Sequence, residues 1–273
     1  MRTLGGTRLT IVAALVLASV AVTFADRSGE GEGGRPGDAE VSAEVDRVSF
    51  ADPPHPAFEV PEPAPLAASA FESSWAPLRR AVTVRSGPGL GFRKVGRLAE
   101  RTPEGTTNLV LVLGRDRRPS DSLWVRVRLP LLPNNTTGWV PRSALGGYGL
   151  VRTHLVVDLS DRQATLFRSG RAVFEAPIGV GTAESPTPRG RFYVRNKLTR
   201  FRNGFYGPVA FGTSARSATL TDWPAGGFVG IHGTNRPELI PGPVSHGCIR
   251  LRNEAILRLA ALMPIGTPLT IRA

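Results

Sequence analysis

Pro243-Val244-Ser245-His246-Gly247-Cys248-Ile249-Arg250-Leu251 holds the only cysteine of the 273-residue chain, set directly after a histidine and a glycine. One sulfur forms no internal disulfide, so Cys248 serves either packing or chemistry. Upstream, His232 stands in Gly230-Ile231-His232-Gly233, and a thiol needs a partner of this kind to become a nucleophile near neutral pH. Taken singly, a lone cysteine is a small buried apolar residue and a lone histidine a satisfied core group. Taken together they form a candidate acyl-transfer site, because Gly247 leaves the backbone free to approach a substrate and successive amides of Gly247 and Cys248 can hold an oxyanion. Zinc held by Cys248, His246 and His232 is the competing reading. That set is short of ligands, since structural zinc takes four, and neither a metal nor another cofactor is expected.

Four further stretches belong with this one. His154-Leu155-Val156-Val157-Asp158-Leu159 followed by Gln163-Ala164-Thr165-Leu166-Phe167 reads as a hairpin, Thr187-Pro188-Arg189-Gly190-Arg191-Phe192-Tyr193 as a loop running into a strand, and Gly230-Ile231-His232-Gly233 as a strand end. With Ser245-His246-Gly247-Cys248, this pattern resembles the YkuD-type L,D-transpeptidases over about residues 151–273. One departure is that the family often has asparagine two residues after the cysteine, where this chain has Arg250.

The resemblance implies Cys248 as nucleophile, His232 as base and the backbone carbonyl of Gly233 as the group that orients the base. It implies oxyanion and substrate contacts from Ser245, His246 and Gly247, with Arg250 joining them in place of the asparagine. The implied reaction is acyl transfer through a cysteine thioester, joining peptidoglycan stem peptides by 3-3 cross-links with loss of D-alanine, and carbapenems are expected to acylate Cys248. With water as acceptor the same thioester gives an L,D-carboxypeptidase. A non-catalytic peptidoglycan-binding module with a vestigial cysteine is the alternative from another class.

Outward from the site, the N-terminus carries Arg2 and Arg8 around the start of an apolar run from Leu9 to Val22, then Thr23-Phe24-Ala25. Residues 1–25 therefore read as a secretory signal or, uncleaved, a membrane anchor, and either places the rest outside the cytoplasmic membrane, in the periplasm or cell wall. Residues 26–76, with Gly-Glu-Gly-Glu-Gly-Gly and Pro-Glu-Pro-Ala-Pro, lack the bulky apolar residues to order themselves and read as a linker.

Residues 77–147 form a second unit of short strands separated by Gly, Pro and Asn clusters. Val84-Arg85-Ser86-Gly87-Pro88-Gly89 and Thr137-Gly138-Trp139-Val140-Pro141 resemble the two ends of a bacterial SH3-like domain. From residue 151 to 273 the chain alternates as β structure, with Asn253 placed to cap one helix from Glu254 to Met263. The segment between Leu198 and Gly227 reads as a flap over the site. The fold class is mainly β: a small SH3-like barrel followed by a β-sandwich catalytic domain.

Charge separates the same regions. Residues 26–75 hold eleven acids and three arginines, whereas residues 76–273 hold twenty-nine basic and eleven acidic residues. The arginines of the basic part are scattered over strands and loops, without the clustering or stacking aromatics of a nucleic-acid surface, so no nucleic acid is expected. The expected counterpart is an anionic cell-envelope surface.

Overall fold

The computed structural model describes residues 70–116, 122–199, 204–220 and 227–273. The signal or anchor of residues 1–25 and most of the linker lie outside the described residues. Among the described residues, no helix is long and apolar enough to cross a membrane.

The first sheet contains β1 (Ser73–Pro77), β2 (Val82–Arg85), β3 (Lys94–Leu98), β4 (Leu109–Arg115), β5 (Trp124–Arg128), β6 (Thr137–Pro141) and β7 (Gly149–Val151). Its strand order is β3-β2-β6-β5-β4-β1-β7. Alternation drives it: Val82 and Val84 of β2, Val125 and Val127 of β5 and Val140 of β6 all point into one core with Leu98, Leu129 and Leu145. This sheet starts earlier and ends later than the 77–147 boundaries. The expected linker runs through residue 76, yet β1 pairs antiparallel with both β4 and β7. The reason is in its own alternation: Ser74 and Ala76 are buried, while Trp75 packs against the cluster of Leu109, Leu111 and Tyr193.

The second sheet begins with β8 (Thr153–Asp158), β9 (Gln163–Arg168), β10 (Arg171–Pro177), β11 (Gly179–Gly181) and β12 (Gly190–Leu198). It continues with β13 (Ala210–Arg216), β14 (Phe228–His232), β15 (Gly242–Ser245) and β16 (Ile249–Arg250), then helix α1 (Asn253–Leu262) and β17 (Pro268–Arg272). The order is β10-β9-β8-β17-β12-β13-β14-β16-β11-β15.

β12 is the strand that joins two halves: residues 190–193 pair with β17 and residues 194–198 with β13. Leu155, Leu166, Phe192 and Ile271 from one half meet Phe211, Val229, Ile231 and Ile249 from the other in one core, closed by Ile256 and Leu259 of α1. Full burial of a side chain of this size stabilises by about 1.5–3 kcal/mol. The helix was expected to begin under an Asn253 cap, but Arg252 occupies the N-cap position without a side-chain bond. Asn253 Oδ1 instead accepts the Thr234 amide at 2.9 Å, which ties the helix start to the segment after His232.

Candidate active site

His232 and Cys248 are brought together by β14 and β16, which run parallel with Ile231 opposite Ile249 and His232 opposite Arg250. The ladder continues as the Leu251 amide donates to the His232 carbonyl at 2.9 Å. One step back along the pair, the Gly230 amide donates to Cys248 Sγ at 3.4 Å. A methyl group on Gly230 would lie 3.7 Å from His232 Cδ2 and 3.8 Å from Cys248 Sγ, so imidazole and thiol converge over that glycine.

The nucleophile turn is built from side-chain to backbone bonds. Buried Ser245 Oγ donates to the Cys248 carbonyl at 2.6 Å and accepts the Gly247 amide at 3.1 Å. Gly247 adopts φ +111°, a left-handed value that glycine tolerates. Thr187, from the Thr-Pro-x-Gly stretch, is the second support. Its hydroxyl donates to the Gly247 carbonyl at 3.0 Å and accepts the Gly181 amide at 2.8 Å.

The Gly247 amide is committed to Ser245, which leaves the Cys248 amide as the candidate oxyanion donor at the thiol. Ser245 and Gly247 thus shape the turn, while His246 and Arg250 stand in the pocket wall with Cys248 and His232.

His232 is 1% exposed. Its Nδ1 lies 2.6 Å from the Gly233 carbonyl, and a carbonyl only accepts, so Nδ1 carries the proton and the Nε2 lone pair is left free. Burial lowers the His232 pKa to about 4, against the opposing Gly233 bond and with a further push down from Arg250. Burial also raises the Cys248 pKa, with the Gly230 amide and Arg250 opposing it. Both shifts favour a neutral thiol beside a neutral imidazole. That differs from a resting thiolate paired with an imidazolium, because the dry pocket disfavours both charges.

The roof of the pocket is aromatic. Tyr206 meets the His232 ring edge-on with centroids 4.9 Å apart, and the Arg250 guanidinium lies 4.9 Å from the Phe205 centroid. Phe228, Val229, Ser217 and Leu220 complete the wall. Of the expected flap, residues 200–203 and 221–226 lie outside the described residues; its described part supplies Phe205 and Tyr206. Sequence reading placed Phe205 and Tyr206 in the flap without assigning their side chains to the pocket, and it did not single out Phe228. The signal for the first two was an aromatic pair held between Gly204 and Gly207.

His154 is bonded through Nε2 to Thr270 Oγ1 at 2.8 Å. Among the described residues no cluster of three or more His, Cys, Asp or Glu is placed to hold a metal ion.

Residues 152–271 match the family model of the L,D-transpeptidase catalytic domain, YkuD. The putative L,D-transpeptidase YkuD of Bacillus subtilis is 35% identical over 118 residues, covering 43% of this chain and 65% of the relative. The probable L,D-transpeptidase ErfK/SrfK of Salmonella typhimurium is 33% identical over 143 residues, covering 44% of each. Among solved structures, the catalytic domain of the E. faecium L,D-transpeptidase shares 27% identity over 44% of this chain and 96% of that one, with a TM-score of 0.33. The chain spans just under two thirds of the length of the YkuD relative. The family model falls on the sheet that carries Cys248 and His232, and residues 152–271 are similar to a YkuD-type L,D-transpeptidase catalytic domain.

Proposed function

We propose that the chain is an exported L,D-transpeptidase that uses Cys248 as nucleophile to form 3-3 cross-links between peptidoglycan stem peptides. The observation that carries this reading is the convergence of His232 and Cys248 over Gly230, with His232 Nδ1 bonded to the Gly233 carbonyl.

In the mechanism, Cys248 Sγ attacks the carbonyl carbon of the donor peptide while its proton passes to His232 Nε2. The oxyanion is held by the Cys248 amide, and loss of one such donor typically costs about 2.7–4 kcal/mol in the transition state. The C–N bond then breaks, His232 returns the proton to the departing D-alanine amine, and a thioester remains. An amine of a second stem attacks the thioester, gives its proton to His232, and the thiol is regenerated as the new amide forms. Starting from a neutral pair, the proton moves with the attack, so no charged pair has to be held in the apolar pocket beforehand. Arg250 and His246 line the same wall and contact the bound peptide. The first sheet, read as an SH3-like module, and the basic surface hold the enzyme at the anionic envelope.

Mass analysis of products from disaccharide tetrapeptides, beside a Cys248→Ala control, tests this reading. Dimers lacking one D-alanine, absent in the control, are expected, together with a covalent carbapenem adduct on Cys248. Tripeptides alone would replace transpeptidase by L,D-carboxypeptidase. Turnover that survives Cys248→Ala would overturn the mechanism.

A further inference from the structure

Arg195 of β12 is among the largest fully buried side chains, at 1% exposure. Its Nε donates to the Thr213 carbonyl at 2.8 Å. Its Nη2 reaches Glu104 Oε1 at 3.4 Å. Its guanidinium carbon lies 3.7 Å from the centroid of Phe228, whose ring also has the Arg216 guanidinium at 4.7 Å.

Two of these contacts lead toward the thiol. Phe228 is part of the Cys248 pocket. Thr213 in turn donates its hydroxyl to the Val229 carbonyl at 2.7 Å, next to the Gly230 amide that meets Cys248 Sγ.

Glu104 comes from the other sheet. It sits in the turn that Thr102 and Thr106 close by a backbone bond of 2.8 Å, between β3 and β4. Its second oxygen accepts Asn196 Nδ2 at 3.1 Å, and the same nitrogen reaches Thr106 Oγ1 at 3.1 Å. Asn196 Oδ1 accepts the Gly212 amide at 2.9 Å where the β12–β13 register shifts. A carboxylate of the first sheet thus supplies the counter-charge for a guanidinium inside the second. Burial and the neighbouring Arg216 disfavour the charge on Arg195, and among the described residues Glu104 is the carboxylate that offsets them.

We propose that Glu104 is a positioning residue for the Cys248 pocket: by holding Arg195 against Phe228, the first sheet fixes one wall of the active site of the second. Without the carboxylate, Arg195 has a buried charge and no anion, and its stack on Phe228 loosens. The wall then shifts while the thiol and imidazole, held by β14 and β16, stay in place.

Thiol probes test this on the full chain, independently of which acyl donor the enzyme uses. The measured quantity is the ratio of Cys248 alkylation rates with bulky N-phenylmaleimide and with small iodoacetamide. Glu104→Ala is expected to change this ratio at least fivefold while the iodoacetamide rate stays within twofold. Glu104→Gln, which keeps the shape but has no charge and offers one acceptor oxygen to two donors, should change the ratio in the same direction as Glu104→Ala. Should Glu104→Ala fail to fold, the double variant Glu104→Leu with Arg195→Met removes both charges together and should show the same altered ratio. An unchanged ratio in a variant that melts cooperatively would overturn the proposal and leave Glu104 a domain-contact residue only. If tetrapeptides are not turned over by wild type, the transpeptidase reading fails, yet the probe ratio still decides the role of Glu104.

Discussion

At Gly230 the fit of a single hydrogen matters. The nearest atoms to an added Cβ are the Phe211 carbonyl at 3.6 Å, His232 Cδ2 at 3.7 Å and Cys248 Sγ at 3.8 Å, all ordinary contact distances. Gly230→Ala should therefore fold with a melting temperature within a few degrees of wild type. Its methyl nevertheless stands where thiol and imidazole converge, so Cys248 acylation should fall by about tenfold or more, roughly 1.4 kcal/mol. Intact-mass kinetics beside a melting curve check this, and unchanged acylation would count against direct proton transfer between the two groups. The same pair predicts the pH profile. His232 accepts the thiol proton only when neutral, so with its pKa lowered to about 4 the alkylation rate should hold through pH 5 to 7 and drop as pH falls through about 4. In His232→Gln that acid limb should vanish, leaving a rate that simply climbs with thiolate. Stability follows the same sign. The unfolded imidazole takes up a proton near pH 6.5 and the folded one resists until about 4, so the folded state loses stability as pH falls across that window, by about 3 kcal/mol in total. Denaturation of wild type against His232→Gln at several pH values measures it. Cys248 and His232 stood out in the sequence because nucleophilic chemistry calls for those residue types, whereas Gly233, which meets the imidazole through a backbone carbonyl, came only from the family resemblance. The ring of Phe228 did not stand out, since its place depends on β13 pairing with β14 and on a guanidinium from β12.

The short elements around the nucleophile are where sequence patterning gave least. β8 and β9 alternate long enough to be read, and their observed bounds fall within a residue of the expected hairpin. β16 has two residues and β15 four, one of them proline; nothing periodic marks them, and only pairing with β14 and β11 defines them. Their geometry is held from outside by Thr187. Thr187→Val keeps the shape but removes the hydroxyl, leaving the Gly181 amide and the Gly247 carbonyl without their partner. Each group left unsatisfied costs about 1–3 kcal/mol, so chemical denaturation should show a loss of at least that size, together with slower Cys248 acylation as the turn loosens. Thr187→Ser, which keeps the hydroxyl, should recover most of both. If Thr187→Val lost stability without slowing acylation, the threonine would support the fold and not the nucleophile turn. Asn253 gives the companion lesson at the helix start: its residue type fits a cap, but the competing Thr234 amide takes its oxygen.

Over the whole molecule, the two sheets share more than a chain connection. Tyr193 is fully buried and donates its hydroxyl to the Leu109 carbonyl at 3.0 Å, and Asn134 bonds both the amide and the carbonyl of Arg216. That joint was not legible, because loop residues such as Asn134 and Glu104 carry no periodic signal that points to a distant strand. Net charge, by contrast, reads directly from composition: residues 76–273 hold twenty-nine basic and eleven acidic side chains. Most of these arginines are surface groups, so their attraction to an anionic matrix acts through solvent and is screened over about 8 Å at physiological salt. The chain should bind vesicles rich in anionic lipid, or a polyanionic wall polymer, at about 50 mM salt and release progressively toward 500 mM. Neutral vesicles should not retain it at any salt. Iodoacetamide, being uncharged, should meet Cys248 at nearly the same rate across that range, which separates surface attraction from the pocket. Retention that persists at high salt would point instead to a specific contact, and the basic surface would lose its assigned role.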